Sequence, residues 1–95
     1  MFRMATVELT NHLYQFFPGL ERRPLTVEGA TVGDIVRGLE AIAPGFAFYV
    51  CDEVGRLRQH VLIFVGNERV TDRTTLRDPV DPDARVLILQ ALSGG

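Results

Sequence analysis

Few side chains in this sequence are of the kind that do chemistry, and most of those stand alone. Cys51 is the only cysteine, so no intramolecular disulfide or paired-cysteine metal site can form. It could carry a persulfide or a thioester, but no base stands beside it to activate the thiol, and a packed, inert cysteine is the plainer reading. His12 and His60 lie far apart and lack metal-ligand spacing. Asp52-Glu53 and the Asp78, Asp81, Asp83 group invite a carboxylate or calcium reading. The alternation of Asp with Pro makes a better turn than a calcium loop, because the loop's Gly and distal Glu are missing. No base, nucleophile and pocket converge, so the chain does not read as an enzyme. What remains is the carboxylate of Gly95, at the end of Ala91-Leu92-Ser93-Gly94-Gly95. Two glycines without Cβ make a narrow, conformationally free end that could thread a closed active site. Taken alone, they suit a merely flexible terminus equally well.

The elements that would present this end can be read from hydrophobic period. Ala5-Thr6-Val7-Glu8-Leu9 alternates and predicts a strand with Ala5, Val7 and Leu9 on one face. Leu25-Thr26-Val27-Glu28 predicts a second. The segment between them, Asn11 to Arg23, is long for a tight hairpin and is expected to be a loop with Leu13, Phe16 and Phe17 tucked against the sheet edge. Thr31, with Asp34 three residues on, is a near relative of the capping box. A helical stripe of Val32, Ile35, Val36, Leu39 and Ile42 follows until Pro44-Gly45 stops it. Gly38 weakens that helix, and close packing on the sheet would explain its presence. Phe46 to Tyr49 suits a short helical turn and Asp52 to Arg58 a loop. Val61 to Val65 is β-branched and aromatic, and Gly66-Asn67-Glu68 turns it into a short strand at Arg69-Val70. Thr74 to Asp83 is irregular, and Arg85 to Leu89 closes the series. One helix on a four- or five-stranded mixed sheet is an α+β two-layer architecture, with Leu9, Val27, Val36, Leu39, Ile63, Val86 and Ile88 in its core.

Bulk properties narrow the function further. A length of 95 residues suits one domain, expected over residues 1–90 with a flexible tail over 91–95. Hydrophobic residues at 46% and charged residues at 23% argue against disorder. A net charge of −2 supplies no basic field for nucleic acid. All ten basic residues are Arg, so no internal lysine could accept an acyl group and self-linked chains could not grow. The longest apolar run is far short of a membrane span, no signal peptide is visible, and a reducing cytoplasm with a free monomer is the expectation.

With this order of elements, the chain resembles the ubiquitin-like sulfur carriers of the ThiS and MoaD families over its whole length. The residues that carry the resemblance are Val61-Leu62-Ile63-Phe64-Val65 before Gly66-Asn67-Glu68, then Leu76, Asp81, Asp83, Val86, Ile88 and Gly94-Gly95. Leu57-Arg58 ahead of the apolar strand, and the tail, are most similar to the actinobacterial carrier of cysteine biosynthesis. Pro82 stands where many relatives have Gly, and Gln90 where many have Pro. The resemblance implies a β-grasp fold, adenylation of Gly95 by an E1-like adenylyltransferase/sulfurtransferase, and conversion to a thiocarboxylate. Leu92, Ser93 and Gly94 would thread the partner's active site. The chain itself would bind no cofactor; ATP and magnesium would belong to the activating partner. A sulfur-accepting synthase, cysteine synthase-like or other, would be a second partner and a metalloprotease a third, with no nucleic acid and no membrane. The acceptor stays open among cysteine, thiamin, molybdopterin, thiolated tRNA and other metabolites. A protein modifier joined through Gly95 to target lysines is the alternative, and a plain interaction domain another.

Alternation also predicts a contact surface. If the helix covers Val86 and Ile88, then Leu87 and Leu89 face the other way, joined by Leu62 and Phe64 when that strand is in register. An apolar patch of this kind marks a partner interface, unless the Asn11–Arg23 segment covers it.

Overall fold

Strand alternation sets the molecule's inner face. The computed structural model describes residues 4–20 and 25–90. In β1 (Met4–Leu9), residues Ala5, Val7 and Leu9 are buried, and the intervening residues are not. After β2 (Leu25–Glu28), the same holds for Val61 and Ile63 of β3 (Val61–Val65) and for Val86 and Ile88 of β5 (Arg85–Gln90). With β4 (Glu68–Arg69), the sheet runs in the order β2-β1-β5-β3-β4. The central pair, β1 and β5, is parallel and every other pair is antiparallel. First and last strands therefore lie side by side at the centre, a β-grasp arrangement. The hairpin between β3 and β4 turns at Gly66, whose φ of 62° suits glycine.

One helix covers the inner face. α1 (Asn11–Phe16) precedes it in the chain, and the covering helix is α2 (Val32–Ile42). Its start is a full capping box: Thr31 Oγ1 accepts from the Asp34 amide at 3.2 Å, and Asp34 Oδ2 accepts from the Thr31 amide at 3.2 Å. The next amides are satisfied from a distance, Val32 N donating to the Asp78 carbonyl and Gly33 N to that of Leu76. Leu76 adopts φ 55° as its carbonyl takes this bond, a conformation that costs a non-glycine residue about 1 kcal/mol or more. Gly38 lets the helix settle on β2, since a Cβ there would lie 2.5 Å from Val27 Cγ1.

All seven residues expected in the core are buried. Two expectations need correction. Ile42 is 46% exposed, because the inward stripe continues from Leu39 to Ala43, four residues on, and not to Ile42 at three. The Asn11–Arg23 segment is not a loop against the sheet edge over its described part. It forms α1 and a 3-10 turn over Pro18–Leu20, burying Leu13, Tyr14 and Leu20 in the main core on the helical side. Phe17 packs edge-on against Phe46 at 5.4 Å and Tyr49 at 5.5 Å, while Phe16 is exposed. Six residues are too few for a helical stripe to emerge from the sequence.

α3 (Phe46–Val50) follows a left-handed Gly45, φ 98°. Its entry is held by the Glu40 carboxylate, which accepts from the amides of Gly45 and Ala47; these bonds draw the Glu40 pKa below its ordinary value. Near Pro82 the left-handed conformation falls on Asp83, φ 66°, a residue type that tolerates it. Among the described residues, no helix is long and apolar enough to cross a membrane.

Candidate functional site

The outer face of the sheet carries Leu62, Phe64, Leu87 and Leu89. β3 and β5 pair so that Leu62 lies directly across from Leu89 and Phe64 directly across from Leu87. These are two adjacent cross-strand pairs on one face, each side chain covering part of its neighbours. All four are half-buried, and none is among the residues packed against the main core. Polar groups frame them. Glu8 lies beside Leu87 and is ion-paired with Arg85, while Arg69 lies across from Phe64. The α1 segment lies on the opposite side, its described ring contacts being within itself or with α3.

β5 delivers the chain to one end of this face. Gln90, its last residue, lies across from Val61 and donates through Nε2 to the Tyr49 hydroxyl at 3.1 Å. Because β1 and β5 are parallel, Thr10 is at the same end, its amide donating to the Ile88 carbonyl. Thr10 Oγ1 and Gln90 Oε1 are buried there without a hydrogen-bond partner among the described residues, an uncommon condition. Gly95, Gly94, Ser93 and Leu92 lie outside the described residues, as does the expected tail from 91 onward.

The other reactive groups are placed as structural parts. Cys51 is buried, and burial together with the Asp52 charge pushes its thiol above the ordinary value, against a smaller opposing effect of Arg58. That is the environment of an unreactive thiol. His12 is half-buried beside Phe16, and His60 is exposed. Asp52 closes its own loop, accepting from the amides of Val54 and Arg56 and from Arg56 Nε, each at 3.0 Å. Asp78 accepts from the amides of Thr71 and Asp72. Among the described residues, no group of three His, Cys, Asp or Glu could hold a metal ion.

Sequence reasoning missed one cluster. Arg58 and Arg73, fifteen residues apart, meet where Arg73 Nη2 donates to the Arg58 carbonyl at 2.6 Å. Leu57-Arg58 was the available signal, but nothing local ties it to Arg73.

No protein-family model and no curated protein matches the chain. Solved structures do. A chain of the Amycolatopsis orientalis BexX/CysO complex shares 26% identity over 96% of this chain and 99% of its own, with a TM-score of 0.82. Mycobacterium tuberculosis CysO shares 26% over 93% of this chain and 99% of its own, with a TM-score of 0.79. Small archaeal modifier protein 1 (SAMP1) of Haloferax volcanii, at 21% identity over 97% and 99% and a TM-score of 0.77, shares the fold. The α+β, β-grasp expectation is met, and the likeness to CysO-like, ubiquitin-like proteins holds over the full length of both chains.

Proposed function

We propose that this ubiquitin-like chain is a sulfur carrier whose working group is the Gly95 carboxylate. The observation that supports it is the coincidence of a full-length likeness to CysO with a sequence that closes on Gly94-Gly95. A carboxylate is a poor electrophile, so oxygen can be exchanged for sulfur only after activation. A Gly95 carboxylate oxygen attacks the α-phosphorus of ATP on an E1-like partner and pyrophosphate leaves. Hydrosulfide then attacks the acyl carbon, AMP leaves, and a proton is released as the thiocarboxylate forms. The carrier contributes the acyl group and its presentation, and catalysis belongs to the partner. Leu92, Ser93 and Gly94 would lie in the partner's channel, where the absence of a Cβ at Gly94 keeps the chain narrow. Leu62, Phe64, Leu87 and Leu89 would seat the domain on the partner, since an apolar cross-strand patch on so small a protein marks a contact surface. A synthase that takes the sulfur for cysteine or another metabolite, and a metalloprotease, complete the proposed partners, all in the cytoplasm.

The test is intact mass after incubation with the host's activating enzyme, ATP, magnesium and sulfide. Exchange of one oxygen for sulfur, abolished by deleting Gly94 and Gly95, is the expected result. It differs from a Cys51 persulfide, which adds sulfur without losing oxygen. Leu89→Asp should slow loading while the isolated domain stays folded. An unchanged mass with an enzyme competent on another carrier overturns the proposal, and carrier-sized adducts on cellular lysines would point to the modifier role instead.

A further inference from the structure

The helical side of the domain carries a second surface, with a chemistry unlike that of the sheet face. Beyond α3, a cleft of about 610 Å³ is lined by Arg56, Arg58, His60 and Arg73, with Asp52 the one carboxylate among its described lining residues. This reverses the sign of a chain whose net charge is −2. Each guanidinium is held by one anchoring bond. Arg58 Nε donates to the Phe48 carbonyl at 3.0 Å and the group stacks 4.9 Å from the Phe48 ring centroid. Arg73 Nη2 holds the Arg58 carbonyl, and Arg56 Nε holds Asp52. The remaining N–H groups of these three forks have no partner within the described residues, so the donors are fixed before any ligand arrives. That preorganisation lowers the ordering cost of binding carboxylates. The one carboxylate in the cleft is already taken by three donors.

Apolar surface adjoins the charge. Phe48 and Val54 are the two most exposed large hydrophobic residues described, at 62% and 65%. They border a neighbouring groove that shares Asp52 and Thr74 with the basic cleft. An exposed aromatic and an exposed valine beside three anchored guanidinium groups complement a segment that carries carboxylates around an apolar residue. We infer that Phe48, Val54, Arg56, Arg58, His60 and Arg73 form a docking site for an acidic segment of a partner protein, separate from the sheet face. A polynucleotide is disfavoured, because the basic stretch is confined to Arg56, Arg58, His60 and Arg73 and gives way to apolar Phe48 and Val54, with no continuous track for successive phosphates. A single phosphate would fill little of a cleft this wide. The inference rests on the carrier reading only in taking the occupant to be a protein that engages this chain.

The experiment is an NMR titration of the full chain with a synthetic Glu-rich peptide carrying one Leu. Saturable shifts at the amides of Phe48, Val54, Arg56, Arg58 and Arg73, fading as salt rises, are expected. They should be absent with the same peptide bearing Gln for Glu. Arg56→Gln, at a largely exposed position, should weaken binding by up to roughly fivefold with the rest of the spectrum unchanged. Val54→Ser should weaken it further, and Leu89→Asp should not alter it. No saturable shift at millimolar peptide overturns the site. So does equal binding of the Gln peptide, or tighter binding of pyrophosphate or a short oligonucleotide at the same amides. Loss of peptide binding with intact sulfur loading removes this site and leaves the carrier; failed loading with peptide binding intact does the reverse.

Discussion

The two faces of the sheet are built from the same strands and the same kinds of residue, yet they end in opposite states. In β5, Val86 and Ile88 are essentially inaccessible, whereas Leu87 and Leu89 between and beyond them stay half-buried. In β3, Val61 and Ile63 are enclosed, and Leu62 and Phe64 are not. Side-chain type does not decide this, since leucine and phenylalanine are at least as apolar as valine. The cover decides it. α2 lies across the inner face, while on the outer face, among the described residues, the four side chains have their cross-strand neighbours and no place in the main core. An apolar side chain thus acts as core or as contact surface according to what is laid over it, and the strand period only sorts residues into two sets.

The sharpest way to break this comparison is to truncate one residue from each set on the same strand. Ile88→Ala should cost about 2–5 kcal/mol of unfolding free energy, as for other enclosed aliphatic residues. Leu87→Ala, one position away, should cost under about 1 kcal/mol, mainly its pairing with Phe64. Urea denaturation of both variants measures the difference. Equal losses would show that the outer face is covered as well. The cover itself can be tested next. Gly38→Ala gains about 1 kcal/mol of helix propensity, but its new Cβ would meet Val27 Cγ1 at 2.5 Å. Val27 is buried and stiff at χ1, so overpacking at about 1–3 kcal/mol should win and lower the melting temperature. A stabilised variant would mean that α2 is not pressed against β2.

Most of this frame was legible in the sequence because it repeats. Alternation at Ala5 to Leu9 and Arg85 to Leu89, the Thr31/Asp34 cap, and the Pro44-Gly45 stop are local signals, and each fell where expected. α1 was not legible, since six residues around Leu13 and Tyr14 show no period and take their place from Phe46, Tyr49 and the β1 end, where the Leu9 amide donates to the Tyr14 hydroxyl. The outer patch was legible as a set of residues, but the register that sets Leu62 across from Leu89 depends on a pairing between distant strands. The basic cleft was hidden for the same reason, because Arg73 reaches Arg58 only after the chain has passed through β3 and β4. Gly94-Gly95 was the plainest feature of the sequence, and its reading depends on the fold in front of it.

The smallest expected effect concerns what holds the cover in place, and acid removes it. The first-turn amides of α2 rely on carbonyls of Leu76 and Asp78, in a segment with no regular structure of its own. That segment is organised by Asp72, whose carboxylate accepts from the amides of Thr74, Thr75 and Arg77 and from the Thr75 hydroxyl. Bonding from the Thr75 hydroxyl and amide first, and from the other amides, lowers its pKa from 3.8 to about 2. A carboxyl with a depressed folded-state pKa contributes stability that is fully present above its unfolded value and is lost as protons bind the native state. The contribution of Asp72 should therefore be intact above about pH 4, decline between there and about pH 2, and be gone below. Because the group is exposed to solvent, the loss should be modest and should shrink with added salt. Melting temperatures of the wild type and Asp72→Asn, compared from pH 7 to pH 2, measure it. The two curves should converge in acid, with the wild type higher at neutral pH. Parallel curves would show that the 71–78 segment holds the helix start through its backbone alone, and that the cover over the inner face owes nothing to this charge.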